Sequence, residues 1–404
     1  MDIFVARQPV FTANKKVFGY ELLFRNSLSN TFSGIEGSTA TSSVLSNTFF
    51  SIGLHEILGE KPGLVNFTRD LIVRKMPLLF PREHIIIEVL ENIEPDPEVM
   101  DALREFKRQG FRIALDDFVY DKKFDAMICL SAMIKFDIMA TPLDTLEPII
   151  ATIRANNTPL TLLAEKVETY PEFEQAKEMG FGLFQGYFFA RPEILSKKDI
   201  SPGQVTKMKL INAAGQKELN LAAIENLIKK DLSISFKLLK FINSAYFQRP
   251  TPINTIKDAI TFLGIDELKK FLHVVVVSDL GDSKPDELIR SSVIRARMCE
   301  QCGKMLNTHF TTEELFTIGL FSSMDAILDR SMADILSQIT FSDKIKDALL
   351  GKDKQYTQLH TLIKSFEKGQ WDHKLFRLMD GRKIIEKLPE LYKDALRMAD
   401  SFFV

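Results

Sequence analysis

Cysteine is scarce. The three in 404 residues, Cys129, Cys299 and Cys302, are too few for a disulfide framework, so a reducing cytoplasm is the expected setting. Long apolar runs are missing as well. The most hydrophobic one, FLHVVVV at Phe271–Val277, is far short of the roughly 20 residues needed to span a bilayer. Met1–Phe11 contains Asp2 and Arg7 and lacks the apolar core of a signal peptide. Nor is charge of either sign in excess. Against 52 Lys and Arg stand 54 Asp and Glu, a net charge of -2, which excludes a global field pulling toward DNA, RNA or an anionic membrane. Nucleotide binding, if present, must come from a local site. Cys299 and Cys302 form a CxxC without a second ligand pair, and read as ordinary helix cysteines rather than a zinc or redox site.

What the chain does contain falls into two grammars. Up to about Pro192, short β-branched runs alternate with amphipathic stretches. Ile3–Phe11 and Val17–Phe24, joined by the polar turn Thr12–Lys16, predict an antiparallel hairpin. A helix is expected over Ser38–Leu58. Further strands are expected at LVNF (64–67), HIIIEVLE (84–91), FRIALDDF (111–118), AMIKFD (132–137), PLTLLAEKV (159–167) and FGLFQGYFF (181–189), with helices at Pro97–Gln109, Pro142–Ala155 and Pro171–Met179. Repeated strand–helix–strand units imply parallel pairing and an α/β architecture. Beyond Lys197-Lys198 the strand pattern gives way to helical periodicity, among others over Ser233–Asn243, Thr255–Leu263, Asp266–Asp279, Asp286–Leu306 and Thr312–Leu328. The boundary is placed in Ser196–Asp199, giving domains 1–198 and 199–404. Phe236, Phe241, Phe247, Phe262 and Phe271 read as core, and the pairs Lys229-Lys230 and Lys269-Lys270 as solvated helix faces.

In the first half nearly every strand closes on a residue that can ligate metal or handle a proton. These are Glu21, Asn66, Glu88 with Glu91, Asp116 with Asp117, Lys135 with Asp137, Glu165 with Glu168, and Gln185. A lone acid at a strand end is often a helix cap or a solvated loop residue, but a structural origin for the whole series is a poor explanation. A carboxylate ending an apolar run is costly unless paired or metal-bound. In a parallel barrel all strand C-termini meet on one face. Oxygen donors without His or Cys favour hard cations such as Mg²⁺, Mn²⁺ or Ca²⁺. Several acids around such ions suit phosphoester hydrolysis.

YELLFR (20–25), LVNF (64–67), EVLE (88–91), LDDF (115–118), IKFD (134–137), LLAEKVET (162–169) and FQGYFFARP (184–192) stand in an order and spacing that resembles EAL domains, which hydrolyse or sense the bacterial second messenger cyclic di-GMP. DLSISFKLLKFINSAYF (231–247) and TIKDAITFLGIDELKKF (255–271) resemble an HDOD domain. The resemblance, to the EAL–HDOD family of bacterial signalling proteins, covers essentially the whole chain. It implies a modified TIM barrel with an antiparallel opening strand, followed by an all-α domain. None of the six histidines forms the His-Asp dipeptide of metal-dependent HD phosphohydrolases, so the α domain is expected to bind a protein partner rather than catalyse. By resemblance, Glu21, Asn66, Glu88 and Asp116 would ligate Mg²⁺ or Mn²⁺, with Asp117 on a second ion. Lys135 would contact the attacking water or a metal-bound oxygen, Glu165 would be the general base, and Arg25 and Gln185 would hold substrate. Glu91, Asp137 and Glu168 would support the loops. A homodimer is a further implication.

Two departures from the family pattern stand out. The glycine-rich loop expected after the paired aspartates is Val119-Tyr120-Asp121-Lys122-Lys123-Phe124 here, and Lys166 replaces the glycine of EGVE. Strand alternation predicts that Lys166 points away from Glu165. The stretch from Arg25 to Asn66 is also short. These changes leave two outcomes open at the sequence level: hydrolysis of cyclic di-GMP to pGpG, or a sensor or scaffold without turnover.

Overall fold

The computed structural model describes residues 4–25, 57–155, 160–190, 224–225, 228–229, 231–248, 250–281, 284–306, 308–369 and 382–403. The expected helix over Ser38–Leu58 lies outside the described residues except for its last two. The chain divides into two compact units, 1–189 with 366–373, and 190–365 with 374–404.

The first unit is a closed barrel of eight strands in sequence order. They are β1 (Phe4–Thr12), β2 (Val17–Arg25), β3 (Gly63–Phe67), β4 (Ile85–Val89), β5 (Arg112–Leu115), β6 (Met133–Asp137), β7 (Thr161–Glu165) and β8 (Leu183–Gln185). The hairpin turns where expected, Thr12 and Lys16 closing it through a 2.8 Å main-chain bond with Lys15 left-handed. β1 is antiparallel to both β2 and β8, whereas every other neighbouring pair is parallel. Helices Pro97–Arg108, Leu143–Ala155 and Tyr170–Glu178 form as expected. Asp96 caps the first through the Val99 N–H, and Thr169 with Glu172 forms a capping box on the third, so the local chemistry fixes where each begins.

The interior explains where the polar residues go. Val10, Leu64, Ile86, Ala114, Met133, Leu163 and Leu183, one from each strand but β2, form a buried apolar layer. Side chains alternate along a strand, so the residue two further on faces the same interior, one layer higher. Those residues are Asn66, Glu88, Asp116, Lys135, Glu165 and Gln185. On the reversed strand β1 the step runs backward, from Val10 to Gln8.

The second unit is helical throughout its described residues. Its helices include Leu232–Ile242, Asp286–Gly303, Thr312–Phe321, Lys354–Glu367 (whose last two residues group with the barrel) and Arg382–Phe403. The span Ile256–Leu280 is broken at Gly264, whose φ of 72° suits glycine, so Thr255–Leu263 and Asp266–Asp279 are two helices as the sequence suggested. Thr312–Leu328 is instead two helices, the second being Met324–Leu328. Phe241 and Phe271 are buried with Leu238, Ile242 and Val275.

Two expectations are corrected. Phe236 and Phe262 are exposed, at 64% and 48%; Phe236 sits half a turn from the buried stripe Ile234, Leu238, Phe241. Lys269 and Lys270 are buried rather than solvated, because Glu313 lies 3.2 Å from Lys269 and Glu267 and Glu300 lie 2.6 and 2.8 Å from Lys270. Cys299 and Cys302 are buried, and burial pushes the Cys302 thiol up to about 12, which keeps it protonated and unreactive.

Candidate active site

Lys135 is the centre of the upper layer. It is fully buried on β6, and its Nζ stands 2.6 Å from Glu88 Oε1, 2.6 Å from Asp116 Oδ1, 2.9 Å from Glu165 Oε1 and 3.5 Å from Glu21 Oε2. The four acids come from β2, β4, the end of β5 and β7, so barrel closure itself assembles the cluster. Gln185 Nε2 donates to Glu21 Oε2 at 2.6 Å, and Asn66 Nδ2 to Glu21 Oε1 at 3.5 Å.

One ammonium faces four carboxylates, a formal charge of -3 if all are ionised. The cluster responds as electrostatics requires. Burial, reinforced by Glu21 and Asp116 and opposed by Lys135, drives the Glu88 carboxyl well above its usual range. Burial and the repulsion of Asp116 and Glu21 push Glu165 up to about 8, against the pull of Lys135. Burial alone would lower Lys135, but Glu165, Glu21, Glu88 and Asp116 together raise it well above an ordinary lysine. Asp117, left-handed at φ 39°, is raised by burial and by its neighbour Asp116.

Several oxygens of this cluster remain available. Among the described residues, Asn66 Oδ1, Glu88 Oε2, Glu165 Oε2 and Gln185 Oε1 are buried without a hydrogen-bond partner. Lys135 meets Glu88 Oε1 as a close charge pair rather than a directed hydrogen bond. Asp116, Asp117 and Glu165 each offer an oxygen within 4.8 Å of the others. Unpartnered buried oxygens with excess negative charge are a donor set that fits a hard divalent cation.

The other expected residues lie around this core. Glu91 borders a groove of about 310 Å³ that Asp116, Asp117, Phe118, Val119 and Phe124 also line. Asp137 closes β6, accepts from the Met139 and Ala140 N–H groups at 2.8 and 3.1 Å, and pairs with Lys166. Lys166 is half-exposed and left-handed at φ 57°, turned toward Asp137 rather than into the cluster. Glu168 precedes the helix Tyr170–Glu178, its main-chain N–H donating to Glu172 Oε2 at 2.8 Å. The Arg25 side chain lies outside the described residues. The altered loop is held by its own contacts: Asp121 Oδ1 accepts from the Lys123 N–H at 3.0 Å, Lys123 reaches Glu94 at 2.8 Å, and Phe124 packs edge-on against Phe118.

One contributor escaped the sequence reading. Gln8 pairs in register with Glu21 across the hairpin, and its Oε1 accepts from Gln185 Nε2 at 3.0 Å. It sits inside its strand because β1 runs backward, so inspection of strand C-termini passes over it. The polar pair Arg7-Gln8 within an apolar strand was the available signal.

The comparisons with known proteins bear on the same residues. The model of the EAL domain matches residues 46–192 and that of the HDOD domain residues 202–347. The chain is 35% identical over 371 residues to the cyclic di-GMP phosphodiesterase CdgJ of Vibrio cholerae, covering 91% of this chain and 85% of the relative. The chain belongs to the EAL–HDOD family. A Bacillus subtilis relative, the uncharacterized protein YuxH, is 34% identical over 380 residues, 92% of each chain. Among solved structures, the Bacillus subtilis YkuI protein, with an EAL domain in complex with cyclic di-GMP and calcium, aligns over 66% of this chain and 73% of its own at 19% identity and a TM-score of 0.41. The eight-stranded barrel and the helical second unit of this EAL–HDOD chain are those the family implies. Among the described residues no helix is long and apolar enough to cross a membrane.

Proposed function

We propose that the barrel binds cyclic di-GMP through a divalent cation, Mg²⁺ or Mn²⁺, and hydrolyses one phosphodiester to give linear pGpG. The observation that carries this reading is the buried cluster of Glu21, Glu88, Asp116 and Glu165 around Lys135, with unpartnered oxygens on Asn66, Glu88 and Glu165. Glu21, Asn66, Glu88 and Asp116 would hold one ion, and Asp117 a second. When bound, such ions acidify water and neutralise phosphoryl charge.

The chain's own groups supply the rest. Glu165, whose carboxyl burial together with Asp116 and Glu21 raises to about 8, is placed to take the proton of the attacking water. The water oxygen joins phosphorus, the ribose oxygen leaves, and the proton taken by Glu165 returns to that oxygen. Lys135, fully buried among the acids, stabilises negative charge growing on the phosphoryl oxygens. Arg25, Gln185 and the groove beside Glu91 bind substrate, while Asp137 and Glu168 hold the surrounding turns. The domains 1–198 and 199–404 divide the work, the helical one recruiting a protein partner. The chain acts in the cytoplasm, as a homodimer, without a nucleic-acid or membrane partner.

A second reading has its own support. The loop at 119–124 is tied to Glu94 and Phe118, and Lys166 is tied to Asp137, so the surroundings of Asp117 differ from the family pattern. This favours binding without turnover. Incubation of the full chain with cyclic di-GMP and Mn²⁺, followed by chromatography, separates the two. The hydrolase reading expects pGpG that disappears in Glu165→Gln; saturable binding with unchanged dinucleotide supports the sensor.

A further inference from the structure

A hydrogen-bonded chain leads into the cluster from far along the sequence. The main-chain carbonyl of Lys368 accepts from Gln8 Nε2 at 2.9 Å. Gln8 Oε1 accepts from Gln185 Nε2 at 3.0 Å, and the same nitrogen donates to Glu21 Oε2 at 2.6 Å. Glu21 Oε1 accepts in turn from Asn66 Nδ2 at 3.5 Å. A carbonyl can only accept, so Lys368 dictates which end of the Gln8 amide faces it. The Gln8 oxygen is thereby aimed at Gln185, whose two amide hydrogens are committed to Gln8 and Glu21. Glu21, a carboxylate, can only accept, so it takes an NH₂ from Gln185 on one oxygen and from Asn66 on the other, which leaves the Asn66 oxygen unpartnered.

The turn that presents this carbonyl is well defined. Residues 366–373 group with the barrel. The Gly369 N–H donates to the Phe366 carbonyl at 3.0 Å, directly after helix Lys354–Glu367. Gly369 is left-handed at φ 64°, and a Cβ there would run into Leu23 of β2. The Lys368 ammonium stands 4.4 Å from the centroid of the Tyr187 ring, two residues beyond Gln185.

We propose that the Lys368 carbonyl and Gln8 are positioning groups for the cation site, holding Gln185 Nε2 on Glu21 Oε2 and so seating the Glu21 carboxylate for the ion. The inference rests on the cation reading above. Groups that orient metal ligands typically govern affinity by ten- to a hundred-fold. The test is calorimetric titration of Mn²⁺ into the full chain, alongside thermal melts, for wild type, Gln8→Met, Gly369→Val and the double variant. Gly369→Val strains the left-handed turn and presses on Leu23 without altering any donor. Each single variant is expected to bind Mn²⁺ about tenfold more weakly with little change in Tm, and the double variant no more weakly than either single, because both break one path. If Gly369→Val does not fold, Tyr187→Leu replaces it, with about a threefold weakening expected from the lost cation–π contact. Wild-type affinity in Gln8→Met, or in whichever turn variant folds, overturns the proposal and leaves the cation site standing. No Mn²⁺ uptake by the wild-type chain overturns both.

Discussion

Both units bury charged side chains, and they do so in opposite ways. In the helical unit, Lys270 sits between Glu267 and Glu300; Arg297 joins Glu300 at 2.9 Å and Asp394 at 2.7 Å; Lys304 approaches Glu300 at 3.4 Å. Three cations meet three carboxylates. Burial would raise Glu300, but Lys270 and Arg297 outweigh it and its pKa is lowered. In the barrel a single ammonium meets four carboxylates, and Glu88 and Glu165 are driven up instead. The balanced network holds helices together, whereas the unbalanced one is what the proposed cation site rests on. Burial of charge therefore does not by itself mark a site; the two units differ in its balance.

The contrast is broken most forcefully at Lys135. Lys135→Met leaves four buried acids without a cation, and removing one partner of a buried pair costs about 3–5 kcal/mol. Melts should show a large loss of stability that added Mn²⁺ partly restores, with hydrolysis of cyclic di-GMP abolished. The mirror experiment is Glu300→Gln, which leaves Lys270 only Glu267 and Arg297 only Asp394. A loss of about 2–4 kcal/mol is expected from the same principle, discounted for partial exposure, and Mn²⁺ should restore none of it while cation affinity stays unchanged.

A smaller effect separates the units by pH. Burial, with Arg295 and Lys364 nearby, depresses His360 to about 2, against an ordinary histidine near 6.5. Its folded pKa lies below its unfolded one, so the unfolded chain binds the extra proton. The contribution is complete above about 6.5 and is lost as pH falls below it, by at most about 1.4 kcal/mol per pH unit. Denaturant melts between pH 7 and 5 should show this slope, and His360→Leu should flatten it. The smallest expected change has the opposite sign. Glu88→Gln removes one of the crowded charges and should raise cation-free stability by about 1 kcal/mol while weakening Mn²⁺ binding severely, a trade of stability against function.

The barrel and its ring were largely legible because two periodicities coincide. Strand alternation places Leu64 and Asn66, Ile86 and Glu88, or Leu163 and Glu165 on one inward face, and parallel strands bring the polar member of each pair to the same end. What was not legible depends on reversal or distance. Gln8 is hidden because β1 runs against its neighbours, and the Lys368 carbonyl has no side-chain signature and lies some 360 positions from the glutamine it orients. Lys269 and Lys270 looked solvated because a charged pair on a helix says nothing of the acids that neighbouring helices bring to it. Lys166 turns toward Asp137, but from a left-handed position past the end of β7 rather than by strand alternation.

Anomalous diffraction from a crystal grown with Mn²⁺ tests the central claim most directly. The account predicts a manganese peak held by Asn66 Oδ1, Glu88 and Asp116, with the Lys135 ammonium withdrawn from at least one of its carboxylates. An empty cluster with Lys135 still 2.6 Å from both Glu88 and Asp116 would contradict it.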